Sequence, residues 1–217
     1  MTLGEIRLLA SYPELDHYGQ RQEAQFIGPL LGKLKRPTVQ WPESSGPRVF
    51  ACLRANTRNV LSIITGLGDL EASIICVVNG LSQAQLQPLR KTNIHVAPGA
   101  VDLEPLLDAQ LCLSYGAEGT MLTFLRAGVA QLISPWHVEA HMAARRVEAA
   151  GLGRVIPESA HESVIRDTIG KHALEQPHRA NAESFGKRAS LIRPEDSVTE
   201  VISAIEGFRA GAAGAVA

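Results

Sequence analysis

Leu111-Cys112-Leu113-Ser114-Tyr115-Gly116-Ala117-Glu118-Gly119-Thr120 is the stretch whose reading decides the fold. A short apolar run of strand length leads without a break into a turn with Gly116 and Gly119, and a helix opens near Glu118. The two glycines let the backbone turn tightly and approach a ligand closely, and the free N–H groups at a helix start favour an anion. Thr120 adds a hydroxyl donor. A phosphate or diphosphate suits such a turn. Glycines between strand and helix also serve a purely structural purpose, so the turn alone leaves both readings open.

On either side of this stretch, strand and helix alternate. Val49-Phe50-Ala51-Cys52-Leu53 is a buried strand, followed by Val60, Ile63, Ile64, Leu67 and Leu70 on one helical face. Asn56 or Thr57 is placed to cap that helix. Ser73 to Val78 is a second strand, Leu81 to Arg90 a helix, Asn93 to Ala97 a strand and Leu103 to Ala109 a short helix. Beyond the glycine turn come a helix stopping at Gly128, the strand Gln131 to Ser134, a helix from His137 to Ala150 and a last strand at Arg154 to Ile156. The strands are apolar throughout rather than alternating, which calls for a sheet covered on both faces. The fold class is therefore α/β, a doubly wound, Rossmann-like parallel sheet with closing C-terminal helices. Ligands of such sheets bind at the carboxyl ends of the strands, near the point where strand order reverses.

The first 46 residues differ. Two short apolar stretches, Ile6 to Ala10 and Phe26-Ile27, lie among Pro13, Gly19, Gly28, Pro29, Gly32, Pro37 and Pro42. This density of breakers reads as an approach segment and linker over 1–46, ahead of a domain over 47–209 and a frayed tail over 210–217.

Among 217 residues, Lys plus Arg number 21 and Asp plus Glu 22, a net charge of −1 that excludes nucleic-acid binding by bulk charge. With 45% hydrophobic and 20% charged residues the chain is globular in composition rather than disordered. No apolar run is long enough to span a bilayer, and the start lacks the pattern of a signal peptide, so a cytoplasmic location is expected. Cys52, Cys76 and Cys112 are odd in number, far apart and each inside an apolar run, as buried reduced thiols would be.

From Arg48 to the closing helix the sequence resembles the donor-binding C-terminal half of GT-B glycosyltransferases, the UDP-glycosyltransferase and MurG-like family. Three features carry the resemblance: the Tyr115-to-Thr120 turn, the stretch Leu125 to Ile133, and Pro135 followed by Glu139. Members usually show His-Gly-Gly-x-Gly-Thr, a Glu three residues beyond the Thr, then Gly-Val-Pro and, after a strand, Pro-x-x-x-Asp/Glu-Gln. The resemblance implies that Tyr115, Gly116, Ala117, Gly119 and Thr120 hold a nucleotide diphosphate. It places Thr123 at the ribose, Gly99, Ala100, Val101 and Asp102 in the loop that receives the base, and Glu139 at the donor sugar. Tyr115 stands where the family has His, Ala117 where it has Gly, Thr123 where it has Glu and Ala140 where it has Gln. Arg54 follows the first strand, where relatives often have Gly or Ser; it is expected to supply the positive charge missing at Tyr115, against the alternative of a solvated surface arginine.

Other groups are weighed beside these. His137 and His141 share a helix face, but they lack the HExxH order and a third ligand, and neither a metal nor a cofactor is expected. Trp136 either stacks on a base or sugar or is a partly buried edge aromatic. Val198, Val201, Ile202, Ile205 and Phe208 form one stripe on the last helix. The resemblance implies the donor half of a glycosyltransferase. It would bind a nucleotide sugar, UDP leading, hold no catalytic residue of its own, and transfer a glycosyl group only with an acceptor-binding domain. The alternatives are a degenerate GT-B-like interaction subunit without nucleotide sugar and, third, a relative of the nucleotide-sugar 2-epimerases.

Overall fold

Seven consecutive residues, Arg48–Arg54 (β3), form the strand around which the sheet is built. The computed structural model describes residues 7–18, 24–32, 35–57, 59–89, 91–97 and 99–214. Before β3 lie two short parallel strands, Leu8–Leu9 (β1) and Gln25–Phe26 (β2), which form a small sheet of their own. After it come Val60–Gly68 (α1), Ser73–Asn79 (β4), Gln83–Leu86 (α2), Ile94–Ala97 (β5), Leu111–Ser114 (β6), Glu118–Arg126 (α3), Ala130–Ile133 (β7), Val138–Ala149 (α4) and Gly153–Val155 (β8). Three helices finish the chain: Glu162–Leu174 (α5), Arg179–Ala189 (α6) and Pro194–Gly214 (α7).

The main sheet has six strands in the order β5-β4-β3-β6-β7-β8, and every pairing is parallel. The chain builds outward from β3 in one direction, then returns to place β6 on its other side. The switch point of strand order therefore lies between β3 and β6, and it is at the carboxyl ends of such strands that ligands of doubly wound sheets generally bind. The doubly wound sheet read from the sequence is the fold found.

Parallel sheets must be covered on both faces, and the alternation of side chains along β3 shows how this is done. Val49, Ala51 and Leu53 point into a core with Ile63, Ile64 and Leu67 of α1 and with Ile165 and Ile169 of α5. Phe50 and Cys52 point the other way, toward Phe124 of α3, Val101 and Leu106. The Phe50 and Phe124 rings stack with centroids 4.8 Å apart. Farther along the same side, α3, α4 and α6 share a third core in which Tyr12 and Leu15 of the approach segment are also buried.

Several local details differ from the sequence reading, each for a physical reason. The helix expected over Leu81 to Arg90 is a single turn, Gln83–Leu86, continued as a 3₁₀ turn at Gln87–Leu89; Pro88 lacks the N–H a longer helix would use, and Arg90 lies outside the described residues. Leu103 to Ala109 gives only a 3₁₀ turn at Glu104–Leu106, again around a proline. Neither Asn56 nor Thr57 caps α1: the helix starts at Val60 behind Asn59 without a side-chain cap. At the other terminus α7 continues through Gly214, into the segment expected to fray.

The breaker-rich stretch is laid along the domain. The Pro37 carbonyl accepts the Asp102 N–H at 2.9 Å. Val39 and Trp41 pack on the Phe50 core, and Ser73 Oγ donates to the Pro42 carbonyl at 2.6 Å. Tyr12 donates its hydroxyl to the Ala189 carbonyl at 3.2 Å and meets Phe185 edge-on at 5.2 Å. Arg126, the last residue of α3, donates to the carbonyls of Ala189, Ser190 and Ile192 and so closes the exposed end of α6.

His172 of α5 is buried, with Nδ1 on the Thr168 carbonyl at 2.8 Å and its ring stacked on His178 at 5.4 Å. Burial holds its imidazolium pKa below the ordinary value, and nearby His178, Lys171 and Arg154 add to the effect. Because the folded pKa is depressed, the unfolded chain takes up this proton first, so stability falls as pH drops below about 6.5. His172→Gln should flatten the fall between pH 7.5 and 5.5 relative to wild type in urea unfolding; an unchanged slope difference would assign the acid sensitivity elsewhere.

Candidate nucleotide site

The turn after β6 is fixed by its own hydrogen bonds. The Tyr115 N–H donates to the Cys52 carbonyl at 3.1 Å, continuing the β3–β6 ladder, and the Ser134 N–H donates to the Ser114 carbonyl at 2.8 Å. Ser114, fully buried, accepts the Gly116 N–H on its Oγ at 3.2 Å. Gly116 has φ +87°, and a Cβ there would lie 2.7 Å from the Cβ of Ala140 in α4. Its glycine is a steric requirement of the turn. Ala140 is small for the same reason.

The next four amides are open. Ala117 is the N-cap of α3, and its methyl group accepts no hydrogen bond from the helix. Among the described residues, none of the N–H groups of Ala117, Glu118, Gly119 and Thr120 meets an acceptor. Alanine is a poor N-cap, where Ser, Thr, Asp or Asn would have satisfied one of these donors. Gly119 has nothing within 4 Å of where its Cβ would stand. In helical backbone with free space around it, alanine would be the more stable residue, so this glycine keeps the backbone bare on its open side. Of the backbone positions singled out in the sequence, Gly116 spends its N–H on Ser114, while the Glu118 N–H is open alongside those of Ala117, Gly119 and Thr120.

Arg54 ends β3 beside this turn. Its guanidinium carbon lies 5.1 Å from the Tyr115 ring centroid and 4.9 Å from that of Trp136. Both distances are within cation–π range. Arg54 is half-buried, and its Nε is shielded from solvent with no protein partner. Trp136 Nε1 and the hydroxyl of buried Thr57 are likewise unpaired. A buried polar atom without a partner costs about 1–3 kcal/mol. Arg54 is therefore no freely solvated surface arginine. Tyr115 faces Arg54.

Trp136 also meets His137 edge-on at 5.0 Å, and His137 caps α4 by accepting the Ala140 N–H on Nδ1 at 3.1 Å. Glu139 is exposed in the first turn of α4, after the carboxyl end of β7. His141 turns to Glu158 at 3.5 Å. Thr120 faces the Cys52 thiol, which burial pushes up to about 11 while Thr120 and Arg54 pull it back. Cys52 is thus protonated at neutral pH, and not a nucleophile.

No protein-family model and no curated protein sequence matches this chain. Solved structures do. CalG4, the calicheamicin glycosyltransferase, superposes with a TM-score of 0.71 at 23% identity, over 93% of this chain and 52% of that one. Spinosyn rhamnosyltransferase SpnG complexed with thymidine diphosphate gives 0.74 at 19% identity, over 92% and 56%. Glycosyltransferase VinC in complex with DTDP gives 0.62 at 22%, over 75% and 42%. The chain has the Rossmann-like fold of one half of a GT-B glycosyltransferase. The chain spans about half the length of CalG4 and SpnG.

In this GT-B-like domain the remaining sequence-read positions fall as follows. The Thr123 hydroxyl donates to the Gly119 carbonyl at 2.7 Å, leaving only its lone pairs to a ribose. The loop over Gly99 to Asp102 follows β5, separated from β3 by β4. Within it Val101 is buried in the Phe50 core, and Asp102 accepts the Glu104 N–H at 3.2 Å, so both have structural tasks; Ala100 is exposed. The sequence did not reveal that Trp136 would accompany Arg54, since the two come from loops far apart in the chain; Thr57 lies only three residues beyond Arg54. Two opposite signs are expected on substitution. Gly116→Ala should cost about 1–3 kcal/mol in urea unfolding from strain and overlap with Ala140. Gly119→Ala should gain up to about 1 kcal/mol as a better helix former. Equal losses at both positions would make the whole turn structural.

Proposed function

We propose that this chain is the donor-binding half of a GT-B glycosyltransferase: it holds a nucleotide sugar and transfers the glycosyl group together with an acceptor-binding domain. One observation carries the reading: an uncapped helix N-terminus with four amides open among the described residues, beside an arginine that no described carboxylate pairs, at the switch point of a parallel sheet. Such a place favours an anion with several acceptor oxygens. The diphosphate of the donor would lie on the amides of Ala117 to Thr120. As the glycosyl bond breaks, charge grows on the leaving diphosphate, and those fixed dipoles together with Arg54 stabilise it without reorganising. Glu139 is assigned to the donor sugar, Thr123 to the ribose, and Gly99 with Ala100 to the base. SpnG and VinC were solved with thymidine diphosphate, so thymidine supports the reading as well as uridine does. The acceptor and the general base belong to the other half.

A second reading, a GT-B-like interaction subunit without nucleotide sugar, is favoured by Thr123, whose hydroxyl hydrogen is spent on the helix backbone, and by Val101, whose side chain is in the core. Calorimetric titration with UDP, dTDP and GDP separates the two. The donor half predicts a micromolar Kd for one of them, about −8 kcal/mol. Gly119→Asp, which sets a carboxylate on the open side of the turn, should abolish it while leaving the circular dichroism spectrum intact. A folded chain that binds none of the three at 1 mM would establish the interaction subunit. The chain alone should transfer no glycosyl group.

A further inference from the structure

Resting on that reading, we infer that Arg54, positioned by the rings of Tyr115 and Trp136, is the residue that distinguishes a nucleoside diphosphate from a monophosphate in this site. The guanidinium carbon lies over both rings, at 5.1 and 4.9 Å. A cation–π contact engages the guanidinium's charge without occupying its N–H groups with an acceptor atom, so these donors remain for ligand oxygens. Among the described residues no carboxylate or carbonyl pairs with Arg54, and its Nε is an unpaired buried donor. Trp136 Nε1 is another, and the buried Thr57 hydroxyl, three residues along the same turn, also lacks a partner.

These groups come from the loops after β3 and β7, the two strands that flank β6. The open amides of α3 follow β6 itself. Two donor sets therefore adjoin each other: backbone amides that suit one phosphate, and a cationic edge one strand away, roughly 5 Å along the sheet, that suits a second. A monophosphate engages one set; a diphosphate spans both. Tyr115 has no imidazole to offer a phosphate, and in this arrangement its ring serves the arginine instead. Tyr115 and Trp136 are positioning residues, and Arg54 touches the ligand.

The test compares the Kd of UDP and dTDP with those of UMP and dTMP in wild type, Arg54→Ala, Arg54→Lys, Trp136→Ala and Trp136→Phe. Wild type should prefer the diphosphate at least tenfold. Arg54→Ala should erase most of that preference while changing monophosphate affinity less than threefold. Arg54→Lys should fail to restore it, because a point charge lacks both the stacking face and the planar edge. Trp136→Ala should weaken diphosphate binding at least fivefold, and Trp136→Phe should recover most of it, an outcome that general loss of packing would not give. In a Trp41→Phe background Trp136 is the remaining tryptophan of two, so its emission should shift on addition of UDP or dTDP. Binding by wild type with the same diphosphate preference in Arg54→Ala overturns the arginine's role alone. Absence of binding of any of the four nucleotides by wild type overturns the donor-half reading and this inference with it.

Discussion

A parallel sheet has no solvent face, and everything else in this molecule answers to that constraint. β3 is paired over its length to β4 and over four residues to β6, with side chains alternating into cores on opposite faces. One face is covered by α1 and α5. The other has α3, α4 and α6 at one end, but only a 3₁₀ turn where the β5-to-β6 connection would ordinarily supply a helix. Val39 and Trp41 of the breaker-rich stretch complete the cover there. Proline and glycine suit that task, since the stretch must follow an irregular surface and its carbonyls find donors at Asp102 and Ser73.

The same constraint places the site. Parallel strands all end on one edge, and reversal of strand order between β3 and β6 separates the loops there. The turn after β6 is rigid where it touches protein and bare where it does not. Gly116 is pressed against Ala140 and tied to Ser114, while Gly119 faces open space and the amides beside it have no cap. Rigid support beneath unsatisfied donors is preorganisation: the dipoles are already aimed before any ligand arrives. Arg54 adds a cation held by two aromatic rings, and among the described residues no carboxylate pairs with it.

The C-terminal end of the domain is joined firmly at its base and open beyond it. Arg126 gathers the carbonyls after α6, and Ser197 Oγ donates to the Ile27 carbonyl at 2.6 Å, fixing the start of α7. From Val198 onward the helix exposes Val198, Ile202, Ile205 and Phe208. The stripe visible in the sequence therefore does not face this domain's core.

By itself the sequence determined the strands, the doubly wound class and the glycine turn, because each is written in local pattern: uninterrupted apolar runs, helical spacing, and two glycines between them. The resemblance to GT-B donor domains rested on the same local motifs, and the fold comparison agrees with it. Tertiary structure alone decided what the motif residues touch. Which amides stay open depends on the buried hydroxyl of Ser114 at the end of β6, and on α4 packing against Gly116. The surroundings of Arg54 are the rings of Tyr115 and Trp136, brought to it by pairing of β3, β6 and β7. Sequence spacing encodes periodicity along one element, whereas a cation from one strand end among rings from two other loops exists only once those elements are side by side.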